Sequence, residues 1–296
     1  MSLSTLRELA CAGSFALVFL GAWAAPAKAQ QPVSPPIFSW DLNVGWIGMG
    51  DFKPVPGRVT PVSDDPKYPY VPNGAGRQPT YHIADLTNPN LKPWVKEVMR
   101  KDNEEVIAGK IAFTPSQSCL PAGIPAFLAL GGNQNPYSFL QTPKEAWIMR
   151  SADSQVRRIY LDVPHSANPK PSWYGESVGH YEGDTLVVDT IGQNTKTFVD
   201  NYRTPHTEQL HVIERFHLID GSKTLVVNIH VEDPGAFTTP WNAIQRFSRW
   251  DTSTLFAKGD SLCAESAAYD YFNTGNYGAT HTSELAPIPQ ADKPDF

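Results

Sequence analysis

Residues 172–190 read Ser-Trp-Tyr-Gly-Glu-Ser-Val-Gly-His-Tyr-Glu-Gly-Asp-Thr-Leu-Val-Val-Asp-Thr. Two short runs, Ser177 to Tyr181 and Thr185 to Thr190, flank Glu182-Gly183-Asp184. Gly and Asp tolerate the positive φ of a tight hairpin, and Leu186, Val187 and Val188 suit a pleated, half-buried surface. The stretch therefore predicts a β-hairpin that carries His180, Tyr181, Glu182 and Asp189.

Working outward, the same pattern recurs. Strands are expected at Lys110–Phe113, Ala146–Met149, Val156–Leu161, Ser177–Tyr181, Thr185–Thr190, Gln209–Ile219, Thr224–Val231 and Ala243–Trp250. Turn signals such as Asp220-Gly221-Ser222 separate neighbours at hairpin distances. With no helical pattern between them, these runs argue for an antiparallel barrel or sandwich. One helix precedes them, over Asn90–Lys110. Asn90 is its expected cap, Pro93 fits its first turn, and Leu91, Trp94, Val95, Val98 and Met99 recur at helical spacing. Gly109 is expected to end it.

The N-terminus has a different character. Met1 to Ala29 carries Arg7, an apolar stretch and a closing Ala27-Lys28-Ala29, the layout of a cleaved secretory signal. The apolar core is too short for a permanent span. Residues 30–88 hold many of the chain's 27 prolines, interrupted by Phe38, Trp40, Trp46, Phe52, Tyr68 and Tyr70. Those aromatics predict an extended arm laid over the core rather than disorder. The barrel domain is expected over 89–268, with its helix first, and a loop-like tail over 269–296.

The formal charge of −6, without Lys/Arg runs, gives no electrostatic footprint for nucleic acid or anionic lipid. No stretch after the leader is apolar enough for a stable membrane span. Outside the leader, Cys119 and Cys263 remain. In an oxidising compartment they favour one disulfide, with a free-thiol nucleophile at Cys119 as the alternative.

Candidate chemistry centres on the strand Gln209–Ile219. Leu210, Val212, Phe216 and Leu218 share one face, and Glu214 points with them. A carboxylate on an apolar face either meets a buried Arg or has a raised pKa and works as a general acid or base. Arg158 and Arg246 lie on other expected strands and could supply the partner. His211, Arg215 and His217 take the opposite, solvated face. His206, Glu208, His211 and Glu214 suggest a metal, but strand parity turns His211 away, so none is predicted. Gly175, Ser177 and Gly179 match G-x-S-x-G without the strand before and helix after that a nucleophile elbow needs.

The assigned catalytic set is Glu214 as acid or base, His180 or His211 as proton relay, and Arg158 as anion stabiliser. Ligand contacts are assigned to Tyr160, His165, Trp173, Tyr181, Asp189 and Trp241.

Several motifs lie together: Cys119 to Pro125, Arg158 to Tyr160, Trp173 to Thr190, His206 to Arg215, Asp233-Pro234, Pro240-Trp241 and Cys263-Ala-Glu265. On these the chain resembles a large group of exported bacterial proteins to which no activity is assigned. The resemblance covers roughly residues 90–265. It implies export, agrees with a Cys119–Cys263 pair, and carries no activity with it; His180-Tyr181 stands where Arg-Trp is common in that group.

The expected fold is mainly β: an antiparallel lipocalin-like (calycin-style) barrel with one packing α-helix and an extended N-terminal arm. Barrels of about eight strands commonly hold one small ligand. The expected function is binding or converting a small, mostly apolar or aromatic molecule, without a cofactor, in the periplasm or outside the cell. If catalytic, the protein is a lyase, isomerase or hydrolase; the alternative is a non-catalytic ligand-binding or envelope-interaction protein. No P-loop, dinucleotide fingerprint or haem motif is present.

Overall fold

The computed structural model describes residues 34–39, 44–71, 82–109, 114–115, 120–129, 136–151 and 155–251. The expected leader, the expected strand Lys110–Phe113, the expected disulfide pair Cys119 and Cys263 and the expected tail lie outside the described residues. The elements in chain order are β1 (Val44–Gly48), β2 (Lys53–Pro54), α1 (Pro93–Ile107), α2 (Ala126–Ala129), β3 (Tyr137–Gln141), β4 (Glu145–Arg150), β5 (Gln155–Leu161), β6 (Glu176–Glu182), β7 (Thr185–Ile191), β8 (His211–Ile219), β9 (Thr224–Glu232) and β10 (Trp241–Asp251).

Among the described residues the fold is mainly β, a closed barrel of nine strands with one extra strand and a single helix longer than a few residues. Its order runs β1-β3-β4-β5-β6-β7-β8-β9-β10 and closes by pairing β10 with β1. The extra strand, β2, lies along the same edge of β10 as β1, at Ala243 and Ile244. The hairpin of β6 and β7 turns at Gly183, whose φ of +62° suits the first central position of a two-residue turn. Asp220, Gly221 and Ser222 all take positive φ between β8 and β9.

Two features correct the expected arrangement. First, the arm does more than cover the core, because β1 is the strand that closes the ring. Trp46, buried and donating its indole N–H to Phe38 O at 3.0 Å, pairs with Arg249 on one side and Tyr137 on the other. Second, the ring is not wholly antiparallel: β5 and β6 run parallel, pairing at Tyr160–Val178 and Leu161–Gly179 alone. A closed ring with an odd number of strands cannot alternate direction all the way round, so one parallel neighbour is obligatory. The connection 162–175 returns the chain to the same end of the barrel, and Pro164, Pro169 and Pro171 keep it from becoming the usual crossover helix.

The barrel interior is a packed core. Residues such as Phe139, Ile148, Ile159, Val188, Phe216 and Phe247 belong to one continuous hydrophobic cluster. Phe38 caps one end, its ring 5.0 Å from Phe139 and 6.4 Å from Phe216. At the other end α2 inserts Phe127, 5.4 Å from Tyr137, beneath the Arg150 guanidinium.

Helix α1 is shorter than expected, and Lys92 rather than Asn90 is its N-cap, with Pro93 in the first turn. Asn90 Oδ1 instead accepts three donors, the Thr239 amide and the hydroxyls of Thr238 and Thr239. Its buried stripe is Val95, Met99 and Asn103; Trp94 and Val98, expected on that face, are exposed. Asn103 fits the stripe because its amide mimics a strand edge, donating to Ala84 O and accepting from Ala84 N.

Candidate functional site: a charged seam, an imidazole chain and a mouth cleft

Glu214 lies fully buried on the inward face of β8, as its apolar neighbours require. Its partner is Arg157, not Arg158 or Arg246. Arg157 Nη2 stands 2.6 Å from Glu214 Oε2, 2.9 Å from Thr190 Oγ1 and 3.2 Å from Ser177 Oγ. From β5 this one side chain reaches β6, β7 and β8, spanning the wall where the parallel pair has only two rungs. Arg157 Nη1 and Glu214 Oε1 are buried without a partner among the described residues.

The G-x-S-x-G segment serves the same seam. Gly175 takes φ +65°, and a Cβ there would meet Ile191 O at 2.3 Å. A Cβ on Gly179 would meet Val187 O at 2.9 Å and Ile159 Cγ2 at 3.1 Å. Ser177, between them, points inward at Arg157 and at the Thr190 hydroxyl, 2.9 Å away. The motif shapes a close strand contact rather than a nucleophile elbow.

His211 faces the other way from Glu214, as β8 parity dictates, so the two assigned catalytic groups are not brought together. His211 joins a chain of imidazoles and acceptors across the outer face of β6 to β10. His165 bridges Glu176 Oε1 (3.0 Å) and Asp189 Oδ1 (3.1 Å), and His211 Nε2 lies 2.9 Å from the same Asp189 oxygen. Beyond it Glu232 faces His211 at 3.5 Å and His230 at 2.9 Å, and His230 reaches Asn242. Hydrogen bonding to Asp189 raises the His211 pKa against the burial that would lower it. Burial alone would raise the Asp189 carboxyl, yet the bonds from His211 and His165 hold it below its usual range. Every ring nitrogen in this chain faces an acceptor, which ties the strands together but leaves none free to face a substrate. Among the described residues no group of three or more His, Cys, Asp or Glu side chains is disposed to hold a metal ion.

The remaining assigned residues scatter. His180 is exposed and pairs with Glu182 at 3.1 Å, which also takes Arg215. Arg158, assigned as anion stabiliser, is on the outside, held by Glu145 over the rings of Trp147 and Tyr160. Trp241 is core, 2% exposed against Phe237. Trp173 lies under the Lys196 ammonium at 5.8 Å.

Of the assigned residues, Tyr181 lines an open cleft. At the Phe38 end of the barrel, this cleft of about 780 Å³ runs between the arm segment 35–39 and the ends of β3, β5 and β6. Its walls include Pro36, Ile37, Phe139, Leu140, Leu161 and Tyr181. Ile37 and Leu140 are 62% and 45% exposed, large apolar side chains left facing solvent. Gln141 frames the cleft, accepting from Phe38 N and donating to Pro36 O and Tyr181 Oη, which joins arm, β3 and β6.

A second cluster, centred on the buried His82 and absent from the sequence assignments, fastens the arm. His82 sits between Asp51 (3.2 Å) and Asp64 (2.9 Å), with the rings of Tyr70 and Tyr202 at 4.1 and 4.6 Å. Burial opposes its charge, but the two carboxylates raise its pKa. Nearby Asp200, also buried, is pushed up to about 6 by desolvation against hydrogen bonds from Thr204 and Tyr202. A lone His in a proline-rich stretch has no local pattern, and its carboxylate partners approach only through the fold.

Compared with protein-family models, curated proteins and solved structures, the chain matches none.

Proposed function

We propose that the protein is an exported binder of a small, mostly apolar or aromatic molecule, which it takes up in the cleft at the barrel mouth rather than in the barrel interior. The observation that carries this reading is the cleft itself. Its volume falls in the range of small-molecule sites, about 300–1,000 Å³, and its apolar walls surround few polar groups. The filled interior favours the mouth over the lumen, and the Arg157–Glu214 pair is taken as a brace for the wall. Binding is favoured over conversion because Glu214, His211, His180 and Arg158 point to different surfaces. Export, the Cys119–Cys263 disulfide and membership of the exported bacterial group belong to the same proposal. Among the described residues, no helix is long and apolar enough to cross a membrane.

The test is titration with N-phenyl-1-naphthylamine, a neutral dye that brightens in apolar sites. One saturable site is expected, and Ile37→Asp or Leu140→Asp should weaken it about ten-fold or more, since each places a charge against the bound apolar surface. Both positions are exposed, so the barrel tolerates the change. Absence of saturable binding, or binding indifferent to both substitutions, overturns the proposal.

A further inference from the structure

The polar groups of the mouth cleft divide into those that are spent and those that are not. Gln141 uses its carbonyl and both N–H groups on Phe38, Pro36 and Tyr181. The Thr142 hydroxyl donates to Glu145 O and accepts from the amides of Lys144 and Glu145. Two groups remain. Tyr181 Oη accepts from Gln141 Nε2 at 2.9 Å and keeps its own proton to donate. Burial, with the charge of Asp162 behind it, holds that phenol above its ordinary range, so the proton stays on.

Asp162 is the second group. It follows β5 directly, with φ +57° and its amide bonded to Gly179 O at 2.8 Å, which fixes it at the cleft rim beside the parallel seam. Its carboxylate is exposed and makes no ion pair or side-chain hydrogen bond among the described residues. Among the described residues no Lys or Arg lines the cleft with it. An apolar trough with one neutral donor inside and one unpaired anion at its edge is complementary to a particular kind of molecule.

Resting on the cleft reading above, we infer that the occupant is a small amphiphilic cation: an apolar or aromatic body carrying a protonated amine that meets Asp162 while Tyr181 donates to an acceptor on the body. The exposed position of Asp162 makes the charge a selector more than an anchor, because pairs in contact with water contribute at most about 1 kcal/mol, roughly five-fold in affinity.

Displacement of bound N-phenyl-1-naphthylamine by three matched probes tests this: 4-phenylbutylamine, 4-phenylbutanol and 4-phenylbutyrate. The amine should bind about three- to five-fold more tightly than the alcohol, and the carboxylate more weakly than either. Asp162→Asn should erase the difference between amine and alcohol, and Asn accepts the positive φ, so the turn is kept. Glu97→Gln, which removes the same charge from α1, should leave the difference in place. Equal binding of amine and alcohol to the native protein, or a preference that survives Asp162→Asn, overturns the charge assignment while the cleft stands. Failure of the dye to bind at all overturns the cleft and the charge assignment together.

Discussion

Glu214 and Arg157 set the problem at the scale of single residues. A carboxylate and a guanidinium, both removed from water, are tolerated because each is the other's counter-ion and the hydroxyls of Ser177 and Thr190 also face the guanidinium. The match is incomplete, since one atom of each group has no partner among the described residues. A buried pair of this kind is strongly destabilising to break and mild to replace as a whole. Glu214→Leu is therefore expected to cost about 3–5 kcal/mol in urea unfolding. Combining it with Arg157→Met should recover most of the loss, leaving Ser177 and Thr190 bonded to each other. A single substitution costing under about 1 kcal/mol would mean that the pair does not brace the barrel wall. The outer imidazole chain obeys the same rule with the opposite setting: charge sits there cheaply because water reaches it.

Among the elements, the β5–β6 seam is where the barrel is least like a sheet. Every other neighbour runs antiparallel, whereas this pair has two rungs and a long proline-bearing return. The glycines around it are matched to that geometry. Gly175 and Gly183 share nearly the same φ, +65° and +62°, but a Cβ at 183 meets nothing within 4 Å while one at 175 meets the Ile191 carbonyl. Gly183→Ala should therefore cost only the left-handed conformation, about 1–2 kcal/mol. Gly175→Ala should cost about 1–3 kcal/mol beyond that, because the backbone must move. Paired thermal melts of the two variants separate the contributions; equal losses would show that the close contact at 175 is not felt.

For the molecule as a whole, the arm is part of the barrel and is fastened by titrating groups. Asp51, Asp64, Asp200, Tyr70 and Tyr202 face His82, with Lys53 acting on Asp51. His82 has a raised pKa, so its contribution to stability is full below 6.5 and is lost as pH rises through the folded value. Asp200, raised to about 6, likewise favours the folded state when protonated and loses that contribution between 3.8 and about 6. Burial tends to raise Asp51, but His82 and Asn201 lower it, so its contribution appears above 3.8 and is lost in acid as pH falls through the lowered value. The melting-temperature gap between the native protein and His82→Gln should be widest near about pH 6 and shrink toward about pH 9. A gap that is flat or grows with pH would mean that His82 is held neutral.

The sequence by itself determined what depends on neighbours a few residues apart. Alternation and turn residues located the strands from β4 to β10, and helical spacing located α1. Parity on β8 placed Glu214 inside among apolar side chains and His211 outside. Tertiary structure decided whatever needed a partner from far along the chain. It chose Arg157 over Arg158 because β5 has two apolar faces in composition: Val156 and Tyr160 on the outside look as suited to burial as Ile159 and Leu161 within. A period of two then cannot say which arginine enters. The closing strand β1 escaped notice because proline and glycine around it mask a five-residue run whose worth lies in two neighbours distant in sequence. The parallel pair followed from closing an odd ring, a property of the whole circuit that no single segment carries. The imidazole chain, the His82 cluster and the mouth cleft arose the same way, since side chains spread from Pro35 to Asn242 meet only after the strands have taken their order.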